Sequence, residues 1–172
     1  IVVDAGFRSV DHIANTAIDD VLIGAAGDRV AAIATNDGVI AGTTINDVFV
    51  NAAVDDVWGL IGNFQGLDDW HPAAESVTKE EVDGIEHRRI ALKGGGEIVE
   101  KLLDQGGGTY TYTIIEGPLP VRDYISMISA ADHEGKTVVT WGSTFEGTAD
   151  GADDVVAGIY DAGLAALTER FG

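Results

Sequence analysis

NAAVDDVWGLIGNFQGLDDWHP, residues 51–72, is the stretch on which the fold turns. Asn51 is placed to cap a helix, because its side chain can accept from an otherwise orphan backbone N–H. Asp55 and Asp56 suit the positive end of the helix dipole. Val54, Val57, Trp58 and Ile61 fall on one face at helical spacing. Gly62 offers the left-handed conformation in which many helices end. Phe64, Leu67 and Trp70 form a second short apolar face, and Pro72 disfavours helix at His71. Neither short piece can bury its own apolar face, so both require a large apolar surface to sit on.

Downstream residues supply that surface as strands. Ser76 to Glu81 is a weak strand that turns at Asp83-Gly84. Glu86 to Lys93 places Arg88, Ile90 and Leu92 on one face, and Gly94-Gly95-Gly96 follows as a turn. A phosphate-cradling role for these glycines lacks the GK[ST] signature and a following helix. Glu97 to Leu103 puts Ile98, Glu100 and Leu102 on one side. Thr109 to Ile115 alternates Tyr110, Tyr112 and Ile114 with threonines. Val121 to Ala130 presents Tyr124, Ser126 and Ile128 together, and Lys136 to Glu146 presents Val139, Trp141, Ser143 and Phe145. A final helix, Asp150 to Phe171, carries a wide apolar stripe that includes Val156, Ile159, Tyr160, Gly163, Leu164 and Leu167.

Upstream, Thr43 to Val50 reads as a strand. Residues 1–41 form an N-terminal extension of unknown role, and residues 42–172 form the main domain. Within the extension, Asn36-Asp37-Gly38 between β-branched runs signals a hairpin, with a helix over Asp28 to Thr35 as the competing reading. Ile18 to Val30 also matches Ile45 to Val57 at constant offset, as a duplicated strand-and-helix unit would.

The chain of 172 residues carries 29 acidic and 10 basic side chains, a formal charge of −19. Nucleic acids and anionic membranes would repel such a surface. With no cysteine, there is no disulfide or thiolate chemistry, and the four histidines lack metal-ligand spacing. No cofactor is implied. No uncharged apolar run reaches the roughly 18 residues of a membrane span. No basic region precedes an apolar one as in a leader, so a cytoplasmic location is expected.

One strand, two short helices, about six consecutive strands and a long helix argue an α+β fold rather than a parallel sheet. The order and motifs resemble the helix-grip superfamily of START-like (SRPBCC) domains, most closely its polyketide cyclase/dehydrase group. The resemblance rests on Val57 to Pro72, His87 to Leu102, Tyr110 to Tyr124 and Thr137 to Phe145, and it covers Gly42 to Phe171. It implies a curved antiparallel sheet of about seven strands wrapped around the C-terminal helix, with two short helices closing one end. It also implies an apolar or aromatic small molecule, lipid-like molecules included, bound in the cavity between sheet and helix. Some members cyclise or dehydrate polyketides there.

Trp58, Phe64, Trp70, Arg88, Ile90, Tyr110, Tyr112, Tyr124, Trp141 and Tyr160 are the expected ligand-binding residues. Arg88 and Glu100, on neighbouring strands, are either a buried structural ion pair or an anchor for a ligand oxygen. His71 is placed at the expected mouth, where an imidazole suits proton transfer or a capping role. Ring closure needs a base and a donor for the developing enolate, so His71, Arg88 and Glu100 are the catalytic candidates. Three functions stay open: a binding or carrier protein, a cyclase/dehydratase-like enzyme, and a non-catalytic module with a closed pocket. In the last, the extension could pair between the subunits of a homodimer.

Overall fold

The computed structural model describes residues 33–34 and 40–172. Its elements are β1 (Ile33–Ala34), β2 (Ile40–Val50), α1 (Val54–Ile61), a 3₁₀ turn (Leu67–Asp69), β3 (Ala74–Val82), β4 (Ile85–Leu92), β5 (Glu97–Gly106), β6 (Thr109–Glu116), β7 (Val121–His133), β8 (Lys136–Gly147) and α2 (Ala152–Phe171). All strand pairs are antiparallel, in the order β1-β2-β8-β7-β6-β5-β4-β3. Seven long strands thus form a curved sheet that grips α2, the α+β helix-grip arrangement; the two-residue β1 only extends its edge.

Period-two burial builds the inner face. Val139, Trp141, Ser143 and Phe145 of β8, Tyr124, Ser126 and Ile128 of β7, and Tyr110 and Tyr112 of β6 are all buried. Register shifts at Val99/Glu100 and Leu102/Asp104 in β5, and at Arg122/Ile125 in β7, bend those strands. The curl keeps part of the concave face away from α2, which leaves space between them.

α2 buries Val156, Tyr160, Gly163, Leu164 and Leu167. Tyr160 stacks on Trp141 at a ring separation of 4.5 Å. A Cβ on Gly163 would lie 2.7 Å from His71 Cδ2 and 2.8 Å from Trp141 Cζ3, so the missing side chain lets the helix approach both rings.

Two local expectations are corrected. Asn51 does not cap α1: the capping position is Ala53, in extended conformation and without a side-chain cap. β2 runs on to Val50, and Thr137 Oγ1 of β8 donates to the Ala52 carbonyl at 2.7 Å, which holds the chain extended past Asn51. Gly62 is right-handed, with φ −73° and ψ −11°. It is small because a Cβ there would fall 2.5 Å from Trp58 Cε2 and 2.6 Å from the Trp58 carbonyl oxygen.

β2 begins at Ile40, so it crosses the boundary drawn at residue 42. The Asn36-Asp37-Gly38 turn and the Ile18 to Val30 half of the repeat lie outside the described residues. Among the described residues, no helix is long and apolar enough to cross a membrane.

Candidate functional site

Between the sheet and α2 lies a cavity of about 270 Å³. Apolar residues dominate its lining: Ile90 and Leu92 from β4, Ile98 from β5, Ile114 from β6, and Val156 and Ile159 from α2. Its exposed rim is the β4–β5 turn, Lys93-Gly94-Gly95, opposite the half-buried Leu119 of the β6–β7 loop. Gly94 and Gly95 have φ of 106° and 97°, which L-residues rarely adopt.

Of the residues expected at the site, His71, Arg88, Ile90, Glu100, Tyr112, Tyr124, Trp141 and Tyr160 line the cavity. Trp58, Phe64, Trp70 and Tyr110 do not; they stand behind its wall. Trp58 and Phe64 pack on Tyr110 at ring separations of 6.1 and 5.6 Å, filling the end that α1 closes. Trp70 backs onto His71 and Trp141 at 5.6 and 5.4 Å. Lys93 reads in the sequence as the end of a strand, and Gly94, Gly95 and Leu119 as turn or loop; nothing in their local sequence places them at a cavity mouth, and β4 ends one residue earlier, at Leu92.

Arg88 is wholly buried. Its Nε donates to Glu100 Oε2 at 2.6 Å and its Nη1 donates to the Phe64 carbonyl. The Phe64 ring covers the guanidinium at 4.2 Å. One cation thus ties β4 to β5 and to the closing segment after α1. Arg88 Nη2 and the Tyr110 hydroxyl make no hydrogen bond of ordinary geometry, although the guanidinium is near enough to oppose the burial that raises the Tyr110 phenol. Burial also pushes the Glu100 carboxyl up and Arg88 pulls it back. At 2.6 Å from a permanent cation, Glu100 is held as the carboxylate. Its second oxygen, Oε1, accepts no hydrogen bond from the described residues and is left at the cavity.

His71 is buried and bound at both ring nitrogens. The Ala73 N–H donates to Nδ1 at 3.2 Å, so Nδ1 carries no proton. Nε2–H therefore donates to the Ile159 carbonyl of α2 at 3.0 Å. Burial lowers the His71 pKa, the Ile159 bond opposes this, and Arg88 and Lys93 lower it further. The ring is a neutral strut between the closing segment and α2, with no lone pair free to act as a base.

The hydroxyls on the far wall have one consistent order of donation. Ser126 Oγ donates to the Gly142 carbonyl at 2.9 Å, so it accepts from the Tyr160 hydroxyl at 3.1 Å. Tyr160, having spent its proton, accepts from Tyr124. Tyr124 thus keeps only acceptor capacity for the cavity. Trp141 Nε1 donates to the Tyr112 oxygen at 3.0 Å, and the Tyr112 proton has no acceptor among the described residues. Burial pushes the Tyr160 phenol up to about 12, with the Ser126 hydroxyl opposing, and raises Tyr112 and Tyr124 well above their ordinary value. All three stay neutral at physiological pH. Among the described residues, no group of His, Asp or Glu is arranged to hold a metal ion.

Comparison with known proteins agrees with this architecture. The protein XoxI of Bacillus cereus is 32% identical, matched over 75% of this chain and 94% of its own, with a TM-score of 0.70. An uncharacterised protein of Bacillus thuringiensis is also 32% identical, over 76% of this chain and 98% of its own, with a TM-score of 0.69. The ZhuI aromatase/cyclase of a Streptomyces species shares the fold at 20% identity and a TM-score of 0.57, over 76% of this chain and 93% of its own. No curated protein matches the chain. Residues 43–172 match the family described as polyketide cyclase/dehydrase and lipid transport, and with a match over that much of its length the chain belongs to this family.

Proposed function

We propose that the protein binds a small apolar or aromatic molecule in the cavity between the sheet and α2. The observation that carries this reading is the cavity of about 270 Å³ with its mainly apolar lining. A grip meant only for structure would be filled to crystal-like density by side chains. An apolar cavity of roughly 150 Å³ already takes up benzene, so this one has room for one or two rings.

Carriage is favoured over polyketide cyclisation by His71, whose two nitrogens are both spent on backbone partners. A cyclase/dehydratase-like mechanism would be left with Glu100 as its base and the Tyr112 hydroxyl as its donor. The space is also small for a long polyketide chain or a lipid.

Native mass spectrometry of freshly purified protein should show a retained apolar ligand. Calorimetry with naphthalene should show one site, and Ile114→Trp, which puts an indole into the cavity, should abolish it. Unchanged naphthalene binding in that variant would overturn the reading.

A further inference from the structure

We infer that the ligand is a neutral aromatic of one or two rings whose hydroxyl or ring N–H donates a hydrogen bond to Glu100 Oε1. This rests on the binding reading above and narrows it.

The polar atoms at the cavity divide into those already spent and those still free. Trp141 Nε1, Ser126 Oγ and both nitrogens of His71 are committed within the protein. Arg88 lines the cavity and its Nη2 is unpaired, but that nitrogen is itself buried, and the side chain is fixed by its bonds to Glu100 and the Phe64 carbonyl. What a ligand meets is a carboxylate oxygen, Glu100 Oε1, and the acceptor side of the Tyr124 hydroxyl. Tyr112 adds one donor. An acceptor-rich wall recognises a molecule that brings its own protons.

Charge decides between the donors. Arg88 and Glu100 form a close pair that neutralises itself. A ligand ammonium would add an uncompensated cation beside that pair, in an apolar space where an unpaired charge is costly. A ligand carboxylate reaching Glu100 Oε1 would be repelled there, and the cation on the rim, Lys93, is exposed to solvent, where a charge pair is worth little. A neutral O–H or N–H satisfies Oε1 without changing the charge balance. The volume sets the size: about 270 Å³ against the roughly 150 Å³ that houses benzene fits a single or fused pair of rings.

The test compares 2-naphthol, naphthalene, 2-methoxynaphthalene and 2-naphthoate by calorimetry at pH 7.5. Hydrogen bonds to charged groups imply that 2-naphthol binds at least about tenfold tighter than naphthalene or 2-methoxynaphthalene. 2-Naphthoate should be the weakest. The double variant Arg88→Met with Glu100→Leu removes the pair without leaving a lone buried charge. It should lose the preference for 2-naphthol over 2-methoxynaphthalene, read as the ratio of the two affinities so that any general change in the cavity cancels. Equal affinities for the first three compounds, or tightest binding of naphthoate, would overturn the inference and leave the binding reading standing. No binding of any of the four would overturn both.

Discussion

Gly163→Ala tests whether the junction of His71, Trp141 and α2 is as tight as it looks. The added methyl carbon would lie 2.7 Å from His71 Cδ2 and 2.8 Å from Trp141 Cζ3. Neither ring is the free end of a flexible chain. His71 is tied at both nitrogens, and Trp141 is fixed by its bond to Tyr112 and its stack on Tyr160. Relief therefore requires α2 to back away, which loosens the His71–Ile159 bond and the Tyr160–Trp141 stack. Overpacking of this kind costs about 1–3 kcal/mol. A lost hydrogen bond adds roughly 1 kcal/mol. The better helix propensity of alanine returns about 1 kcal/mol. The net loss is about 1–3 kcal/mol. Gly158, on the exposed side of the same helix, is the internal control, because a Cβ there meets nothing within 4 Å. Gly158→Ala should gain about 0.5–1 kcal/mol from propensity alone. Urea denaturation followed by far-UV circular dichroism reads both as shifts of midpoint at constant slope. The midpoints should move in opposite directions, with a gap of about 1.5–4 kcal/mol. A Gly163→Ala protein as stable as Gly158→Ala would refute the packing argument.

Three further outcomes follow from the same geometry. His71 is neutral in the fold with its pKa held below 6.5, so its contribution is present above about pH 6.5 and is lost as pH falls from there through the lowered folded value. Urea midpoints of the wild type should drop more steeply between pH 7 and 5.5 than those of His71→Gln, and parallel curves would count against the neutral strut. Arg88→Met or Glu100→Leu alone should cost about 3–5 kcal/mol by stranding a buried charge, whereas the pair together should come close to neutral; additive losses in a double-mutant cycle would mean that the two do not compensate each other. Gly62→Asn should destabilise as much as Gly62→Ala, because the constraint is space beside Trp58 and not backbone freedom. A well-tolerated asparagine, judged by thermal melting, would restore the left-handed explanation.

The alternation in Thr109 to Ile115 and Lys136 to Glu146 is enough by itself to name the inward faces of β6 and β8. The stripe on the last helix likewise names Val156, Tyr160 and Leu164. These periods belong to the chain's own backbone geometry, so they are written locally and can be read locally. The order of elements is legible in the same way, and with it the grip and the existence of an inside. The pairing of Arg88 with Glu100 is within reach too, since both sit inward on neighbouring strands.

Tertiary structure decided which inward residues face empty space and which face each other. Trp58, Phe64, Trp70 and Tyr110 carry the same aromatic signal as Tyr112 and Trp141, yet they stand behind the wall, because where the cavity stops depends on how far the sheet curls at its bulges. The rim was decided the same way, since Lys93-Gly94-Gly95 and Leu119 meet only once two distant turns are brought opposite each other. The direction of each hydroxyl proton and the tautomer of His71 were decided by partners up to 88 residues away along the chain. Gly62 and Gly163 show the limit most plainly. A glycine announces conformational freedom in the sequence, whereas at both positions the fold uses its missing side chain to let an aromatic ring in.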